Sequence, residues 1–486
     1  FCMGEIDLQA QRATKSTQFF YGFGSIAVGI KNNLLGTFLL IYYNQVLGLD
    51  AITVSFAFFI ALIIDAVTDP IIGIWSDRTK SKYGRRHPFL YFSIIPFSLA
   101  YYYLLAGPEP NDPDLFSRLV LLLFILRVSM TLFEVPRGAL APELSKDYDQ
   151  RNTLAALSMM FGWAGGAGID FIARYYWLDS FVDFDGYQIL AFWGGIGIFI
   201  GTAVTTIGTH RNIPELHTPP TRSFKLSAFL AETKETLWNR SWLVLFTSGV
   251  FYSLLVGLES GVGTYYNEYL WQWEPKTIAA WSLITPICVI ALTIFAPYIA
   301  LGRNKKKITV GIFLTTIIIG PMPIAFRLSD IYFGTNIIPA NGSDALWYIL
   351  AIHGASMASL GALGFVFIGS MVMDITEQVE QTTGRREEGL LGTVSSFIHK
   401  LVGAGGVLVS GLILSYSGFD NPEMAGELYG GEVINRFAII HLIIGMTLPF
   451  ISTLLVLMYD IDRSKHNSHI TDLGYTSETK NIEPQS

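Results

Sequence analysis

The sequence predicts an all-α membrane protein with twelve transmembrane helices, arranged as two pseudo-symmetric bundles of six. Composition is the first observation behind this prediction: of 486 residues, 51% are hydrophobic and 15% are charged, with a mean hydropathy of +0.43. An ordinary soluble domain has about 25% charged residues. The other two observations are a series of apolar runs of helical length and the distribution of Lys and Arg. A chain this apolar is not a cytosolic enzyme, a disordered protein or a nucleic-acid binder.

Twelve apolar segments are long enough to cross a bilayer, because a transmembrane helix needs about 20 mostly apolar residues. They lie near 17–45, 51–75, 88–107, 116–141, 153–176, 187–209, 241–270, 277–301, 307–328, 345–374, 389–416 and 434–460. This spacing leaves no room for a soluble domain. The predicted organisation is, in order, an N-terminal cytoplasmic tail, a first bundle, a cytoplasmic linker, a second bundle and a disordered cytoplasmic tail: 1–16, 17–210, 211–240, 241–460 and 461–486.

Lys and Arg gather in every second loop when both termini are placed in the cytoplasm. Cytoplasmic loops carry an excess of these residues, and one missed helix would invert every later loop. We therefore expect a multi-pass protein of the cell (inner or plasma) membrane with both termini inside. The loops after the second and eighth spans, 73–86 and 302–307, are both basic and hold equivalent positions in the two halves. This echo suggests an internal repeat, the architecture of major facilitator transporters.

Two carboxylates in the second span form the most specific candidate site in the sequence. Asp65 and Asp69 are four residues apart, so they lie on one helical face about one turn apart. Ionisable groups in a bilayer are costly, and two like charges this close repel unless a cation lies between them or one is protonated. With the Thr68 hydroxyl beside them, these oxygens suit a hard monovalent cation or a proton. The alternative is a structural pair with an Arg or Lys of another helix.

Glu134 in the fourth span precedes a proline. Pro136 has no backbone N–H, so the carbonyl of Leu132 loses its helical partner and polar backbone can be exposed beside Glu134. Glu134 is therefore a candidate ligand of a solute or cation. The alternative is an internal ion pair with Arg137, three residues on. Arg137 is a further candidate solute ligand, unless it reaches the cytoplasmic end of the span.

Lysines within the spans are the next candidates. Lys400 lies too deep in the eleventh span for its ammonium to reach the interface easily. It needs an acidic partner, and the carboxylate pair of the second span is the predicted one, either for charge coupling or as a plain structural bridge. Lys31, followed by Asn32 and Asn33, is expected to line the opposite wall and to bind the solute.

Glu259 in the seventh span is surrounded by glycines at 257, 261 and 263. This pattern is typical of an unwound or kinked transmembrane helix, whose free backbone groups can bind a solute. Glu259 is therefore a candidate solute ligand, and a gate hinge accounts for the pattern equally well. Structural roles are expected for Arg127, Asp170, His353, His399 and His441.

The loop after the second span is a candidate cytoplasmic gate. It carries Asp77, Arg78, Arg85 and Arg86 within ten residues. Opposite charges at this density can latch the inside surface in one conformational state. The alternative is that the basic residues only set the topology.

Several motifs, taken together, resemble a known family. The second-span motif Asp65-Ala66-x-x-Asp69-Pro70 occurs with Tyr83-Gly84-Arg85-Arg86-x-Pro88, with Glu134-Val135-Pro136, and with the stretch from Asp374 to Gly389 that precedes Lys400. This set resembles the glycoside–pentoside–hexuronide:cation symporters, typified by melibiose permease, over residues 17–460. The vertebrate lysophosphatidylcholine symporter is similar more distantly, with a comparable acidic run in the second span.

The resemblance implies roles for individual residues. In the family, the two second-span acids and a threonine at the position of Thr131 form the cation site. The acid at the position of Glu134 contributes to sugar binding, and the lysine at the position of Lys400 is coupled to the cation site. Asp374 and Arg385 match the loop between the tenth and eleventh spans, and we expect both to join the cytoplasmic gate.

The sugar pocket of the family carries over less completely than the cation site. Gly29 or a neighbour stands in place of the first-span acid that contacts the sugar, and Gly138 in place of the tryptophan that stacks on it. Ser158 lies near the position of a fifth-span arginine, and the family has an asparagine where this chain has Thr68. Coupled transport is therefore better supported than any particular sugar.

We expect a secondary active symporter, not an enzyme, that couples sodium or a proton to transport of a sugar or glycoside-type solute by alternating access. The alternatives are a cation-coupled transporter of a lysophospholipid or other amphipathic solute, and a membrane sensor built on the same scaffold. The loops hold no nucleophile motif or metal-ligand cluster, and two cysteines are too few for a disulfide framework or zinc site. We expect no cofactor beyond the coupling ion, a monomer, and no partners other than the small solute and the lipid bilayer.

Overall fold

The computed structural model describes residues 13–145, 148–213, 240–301, 303–383 and 388–459, and omits the side chains of 388–399 and of most residues between 372 and 383. Among these residues, twelve helices, labelled α1 to α12, are long and apolar enough to cross a membrane. They are Lys15–Val46, Ala51–Arg78, His87–Ala106, Leu115–Leu144, Thr153–Trp177, Phe184–His210, Arg240–Leu270, Pro275–Ile294, Lys305–Phe333, Asp344–Ile368, Lys400–Ser417 and Glu432–Leu457. Helix α10 continues beyond its apolar part to Thr383, and α11 already begins at Glu388. The described residues contain no β-strand.

The twelve predicted spans are confirmed, and their bounds shift by a few residues. The eighth was expected to extend to residue 301, but its long helix ends at Ile294. A short separate helix, Ala296–Ala300, follows. Its second residue is a proline, which has no N–H to continue the preceding hydrogen-bond ladder.

In the part of the chain that the structure describes, three helices begin at a polar capping residue whose side chain accepts a backbone hydrogen bond. The side chains of Thr14, Asp183 and Asn304 accept hydrogen bonds from backbone N–H groups two or three residues on, at 3.3, 3.1 and 3.0 Å. Such residues satisfy N–H groups that have no partner within the helix. Polar residues between the apolar runs therefore fix where α1, α6 and α9 begin.

The helices form two bundles, α1–α6 and α7–α12. In the first, α1 packs on α5, α2 on α4 and α3 on α6. In the second, α7 packs on α11 and α12, and α8 and α9 pack on α10. The bundles meet where α2 packs on α11 and α5 on α8. The site residues are therefore distributed over two bodies whose contacts run along these seams.

The first helix of each bundle is irregular in its second half. In α1, five-residue π-helical segments occupy Leu34–Phe38 and Tyr42–Val46. Helix α7 stops at Glu259, resumes at Val262–Tyr265 and ends in a π-helical segment, Tyr266–Leu270. Residues of π-helical segments are often found at functional sites because they re-aim side chains and free backbone groups.

The helices alternate in direction, so the two ends of the described chain lie on one face of the molecule. On this terminal face, Arg211 donates to Thr14 at 3.1 Å, and Lys306 donates to the carbonyl of Tyr459 at 2.7 Å. The opposite, distal face carries the α1–α2 and α7–α8 loops. The irregular halves of α1 and α7 therefore lie on the distal side.

Candidate functional site

The carboxylate pair of α2 faces the interior of the protein. Thr131 Oγ1 on α4 lies 3.2 Å from Asp65 Oδ1 and 3.0 Å from Asp69 Oδ1. A hydroxyl has one proton to donate, so it bonds one carboxylate at a time and keeps lone pairs available. Three oxygens from two helices thus converge at one point, the kind of ligand set that a hard cation prefers.

Two basic side chains neutralise the pair. Lys400 Nζ lies 2.5 Å from Asp69 Oδ2 and 3.7 Å from Asp65 Oδ2. Arg127 Nη1 on α4 lies 3.5 Å from Asp65 Oδ2. Two carboxylates therefore face two cations, and the cost of burying like charges side by side is offset.

The cluster is buried at one end and exposed at the other. The side chain of Asp65 is 3% exposed, whereas those of Asp69 and Lys400 are 26% and 43% exposed. Since Lys400 belongs to the second bundle and both acids to the first, the same contact joins the two bundles.

Thr68 was predicted to bring its hydroxyl to the carboxylates of Asp65 and Asp69, and it does not. Its hydroxyl donates to the backbone carbonyl of Asp65 at 3.3 Å, within the same helix. The described contacts do not bring it to the carboxylate oxygens. Thr131, which the resemblance pointed to, provides the hydroxyl instead.

The three polar candidates of α1, Lys31, Asn32 and Asn33, do not lie at one site. Lys31 is buried at 3% exposure and interacts electrostatically with Glu134, Asp65 and other charges of the cluster. Asn32 and Asn33 line a cavity of about 640 Å³ between α1 and α5 of the first bundle and α7 and α8 of the second. The structure therefore joins Lys31 to the charged interior and separates the two asparagines from it.

That cavity has a polar and aromatic lining. Asn32, Asn33 and Asn267 provide amides, and Trp163 and Trp281 provide two indole rings. Asp170 and Ser282 lie on its wall, and the Ser282 hydroxyl donates to Asp170 across the seam between α5 and α8. Its size is within the range usual for small-molecule sites, about 300–1,000 Å³.

Glu134 and Arg137 do not form the ion pair that was one of the alternatives. Helix α4 runs through Pro136 without a break, and Glu134 is partly buried with no hydrogen bond or ion pair among the described residues. Arg137 donates to the carbonyl of Tyr21 at 3.2 and 3.1 Å and to Ser158 Oγ at 3.0 Å. Arg137 thus fastens α1 to α4 and α5.

Glu259 is the last residue before the interruption of α7. Gly261 follows with φ of +78°, a left-handed conformation that glycine adopts without strain, so the predicted break is confirmed. The Glu259 side chain is 52% exposed, and its Oε1 lies 3.2 Å from His441 Nε2 on α12. Glu259 lines a second cavity, within the second bundle, and not the cavity that holds Asn32.

The charged loop on the terminal face is tied to its own bundle. Arg86 bonds Asp77 at 2.5 Å and Glu143 at 3.1 Å, and Arg85 bonds Glu143 at 2.7 Å. Arg78 is exposed. These contacts join the α2–α3 loop to the end of α4. Arg385 and the side chain of Asp374 lie outside the described residues.

Hydrogen bonds between the bundles are concentrated on the distal face. The Gly261 N–H donates to the Gly36 carbonyl at 2.8 Å, and Thr264 Oγ1 donates to the Thr37 carbonyl at 2.7 Å. Farther along, the Tyr265 hydroxyl donates to Asn44 at 2.9 Å. The irregular halves of α1 and α7 therefore hold the distal face closed.

Comparison with known proteins agrees with this arrangement. A family model described as MFS/sugar transport protein matches residues 20–463. The chain belongs to this family. YnaJ, an uncharacterized symporter of Bacillus subtilis (strain 168), is 26% identical over 93% of this chain and 93% of its own length. The isoprimeverose transporter of Lactiplantibacillus pentosus is 24% identical over 92% of this chain and 89% of its own.

The solved structure of a D-xylose–proton symporter has the same fold as this MFS protein. The two superpose with a TM-score of 0.60 at 11% identity, over 92% of this chain and 98% of the other. At this identity the likeness concerns the fold alone. Together with the twelve apolar helices, the family assignment makes the chain a multi-pass membrane protein of a family of cation-coupled transporters with sugar-transporting relatives. The predicted fold and family resemblance are confirmed.

Structural roles were expected for three residues that the structure places at candidate sites. Arg127 contacts Asp65, Asp170 spans the α5–α8 seam, and His441 meets Glu259. For Arg127 a signal existed, since it lies four residues before Thr131 and shares its helical face. For His441 none existed, because its partner belongs to a helix far away in the sequence.

Proposed function

We propose that this MFS transporter is a symporter in which a sodium ion or a proton binds at Asp65, Asp69 and Thr131 and drives transport of a sugar or glycoside-type solute. The observation that carries the proposal is the position of Lys400. Its ammonium, from the second bundle, lies against both carboxylates of the first, at 2.5 and 3.7 Å. An incoming cation competes with that ammonium for the same oxygens, so cation binding and bundle contact are linked.

This competition supplies the coupling. Two ligands are coupled only when each one changes the equilibrium between the same conformational states, and the effect is reciprocal. When a cation neutralises the carboxylates, Lys400 loses its partners and the α2–α11 contact weakens. The bundles are then free to change their relative tilt, provided the solute has also bound between them.

The cavity between α1, α5, α7 and α8 is the proposed solute site. Amide groups at 32, 33 and 267 can donate to and accept from hydroxyl groups. The indole rings of Trp163 and Trp281 offer flat apolar faces for a sugar ring. Both bundles line the cavity, so an occupying solute contacts both, as alternating access requires. The isoprimeverose transporter among the relatives supports a glycoside as the first candidate.

Lys31 and Glu134 are proposed to connect the two sites. Both are partly or fully buried without a direct ion pair among the described residues, and each interacts electrostatically with the other and with the cation-site cluster. Adding a cation to the cluster raises the local positive charge that these two groups feel. Their side chains are therefore placed to respond to cation binding.

The experiment is counterflow in proteoliposomes with purified protein, using isoprimeverose, xylose, other glycosides, hexuronides and lysolipids, with and without sodium and at several pH values. We expect exchange of a glycoside and uphill accumulation driven by a sodium or pH gradient. Asp69→Asn should abolish accumulation, because it removes a cation ligand. Asp344→Asn, which removes a carboxylate at the exposed start of α10, is the matched control and should accumulate normally.

Two outcomes would contradict the proposal. Uphill accumulation in Asp69→Asn equal to that of the native protein would remove the carboxylate pair from the coupling. Exchange that lysolipids compete and sugars do not would replace the sugar by an amphipathic solute, the alternative of the sequence analysis.

A further inference from the structure

A single imidazole bridges the interruption of α7. His441, on α12, has its Nε2 3.2 Å from Glu259 Oε1, the last residue before the break. Its Nδ1 lies 2.9 Å from the hydroxyl of Tyr266, beyond the break. The Glu259 contact has ion-pair distance but lacks the alignment of a hydrogen bond. One side chain of another helix therefore contacts both sides of the discontinuity.

The bridge lies on the wall of a cavity of about 570 Å³ enclosed by α7, α9, α10 and α12. The lining is mostly apolar, and Glu259 is half exposed while His441 is buried. The other titratable side chains that line the cavity are Tyr252 and Tyr266 of α7 and His353 of α10. His353 is already bonded to the Ile319 carbonyl at 3.1 Å. Glu259 is thus the carboxylate that faces His441 among the described lining residues.

This cluster is separate from the carboxylate pair of α2. The described contacts of Glu259 and His441 stay within the second bundle, whereas those of Asp65 and Asp69 involve α2, α4 and α11. The cluster lies instead next to the hydrogen bonds that close the distal face, here called the distal closure. Gly261, between Glu259 and Tyr266, donates its N–H to the carbonyl of Gly36 in the first bundle. The geometry of the break therefore decides whether that N–H meets its acceptor.

We propose that Glu259, Tyr266 and His441 form a second ion site of this protein, in the second bundle, and that its ligand is a proton. With a proton on each ring nitrogen, the imidazolium pairs with the Glu259 carboxylate and donates to the Tyr266 oxygen. Both sides of the break are then fixed to α12, and Gly261 is held toward Gly36. When one proton leaves through the cavity, Glu259 faces a neutral ring and is drawn to water.

The direction of the effect follows. Protonation of the imidazole creates the ion pair with Glu259, and loss of that proton removes it. The distal closure at Gly261 should be firmer on the acidic side of this transition and looser on the alkaline side. The site requires no solute and no sodium, so it stands or falls independently of the function proposed above.

Hydrogen–deuterium exchange of the purified protein tests the proposal. The quantity measured is the protection of the 259–264 segment, which is its exchange rate relative to the unstructured rate at the same pH. Between about pH 5.5 and pH 8.5, we expect protection in the native protein to fall about tenfold, the effect of one hydrogen bond to a charged group. His441→Gln and Glu259→Gln should each remove this pH dependence.

His353→Gln is the matched control, because it removes another imidazole from the same cavity and should leave the pH dependence intact. Thermal unfolding of each variant shows whether it is folded. If His441→Gln does not fold, the proposal is tested by Glu259→Gln and by Tyr266→Phe, which removes the hydroxyl that contacts His441. Each should lose the pH dependence of protection. A pH dependence in the folded variants of Glu259 or His441 that matches the native one overturns the proposal, as does its loss in His353→Gln.

Discussion

The two bundles share a fold but use their interiors differently. The first is filled by fully buried aromatic side chains, among them Tyr42, Tyr101, Tyr187, Phe97 and Phe133. Its buried acids and bases lie close to opposite charges. The second bundle encloses a cavity of about 570 Å³, and its first helix is interrupted at a residue that faces that cavity.

This difference assigns different tasks to the two halves. Close-packed interiors resist deformation and hold charged groups at fixed distances, whereas a helix beside a cavity can move at lower cost. The carboxylate pair lies in the rigid bundle, and the element that closes the distal face belongs to the deformable one. Lys400 is a charged group that reaches from the second bundle to the carboxylate pair of the first.

The largest effect is expected where helices touch at glycines. A Cβ at Gly29 would lie 2.0 Å from the Gly162 carbonyl oxygen, between α1 and α5, and one at Gly257 would lie 2.0 Å from that of Gly403, between α7 and α11. Gly29→Ala should cost about 3 kcal/mol of stability, the upper end for overpacking, because backbone atoms of Gly162 and Gly166 stand against the new Cβ and both helices are continuous there. Gly257→Ala should cost about 1 kcal/mol, since α7 can shift toward the cavity.

Thermal unfolding in detergent checks this order. The control is Gly138→Ala, whose new Cβ would have no neighbour within 4 Å and should leave the unfolding temperature unchanged. Equal losses for Gly29→Ala and Gly257→Ala would show that the two bundles are equally rigid.

Lys400→Gln tests the link between the bundles, with an intermediate effect. Removing the ammonium that lies 2.5 Å from Asp69 frees the carboxylate oxygens, so the coupling cation should bind about tenfold more tightly, or about 1.4 kcal/mol. Stabilisation against heat by sodium, or by protons in a pH series, measures this affinity. Lys276→Gln, which removes a lysine lying over the Tyr175 ring, is the control. Cation affinity that is unchanged or weaker in Lys400→Gln contradicts the competition.

The smallest effect is expected at the distal face. Thr264→Val keeps the shape of the side chain and removes its hydrogen bond to the Thr37 carbonyl. One such bond is worth about 1 kcal/mol, so opening of the distal face should become about fivefold more frequent. The opening is measured by the rate at which a bulky maleimide labels Leu40→Cys in a background without the native cysteines. Leu40 packs against Gly261, so its side chain becomes accessible when the distal face opens.

Thr447→Val is the control for this change. Thr447 donates to the carbonyl of Ile443 within α12, so its loss should not alter labelling. Labelling of Leu40→Cys that rises equally in both variants would mean that Thr264 does not contribute to the closure.

The sequence predicts most of the fold because each span carries its own signal. A run of apolar residues is a local property, and the alternation of basic loops orders the runs. The same holds for Asp65 and Asp69, whose helical spacing places them on one face. Lys400 was predicted to meet them because a deep ammonium needs an acid, and the structure joins them.

Contacts between helices far apart in the sequence were harder to predict. Arg137 was expected to bind Glu134 or a solute, yet it donates to the backbone of Tyr21, and nothing near residue 21 signals an acceptor. His441 is an isolated histidine in its own helix, and only the fold brings it to Glu259. Spacing within one helix can be read from sequence, whereas pairing between helices depends on their packing.

Direct binding of the coupling ion to purified protein tests the central claim, that the ion competes with Lys400 for the carboxylate of Asp69. Radiolabelled sodium, titrated at several pH values so that protons compete, should bind with one site per chain in the native protein and in Asp344→Asn. It should not bind in Asp69→Asn. If sodium does not bind the native protein, the coupling ion is a proton. Proton uptake and release at this site should then be seen in the native protein and in Asp344→Asn, and should be absent in Asp69→Asn. Ion binding by Asp69→Asn with native affinity would contradict the account.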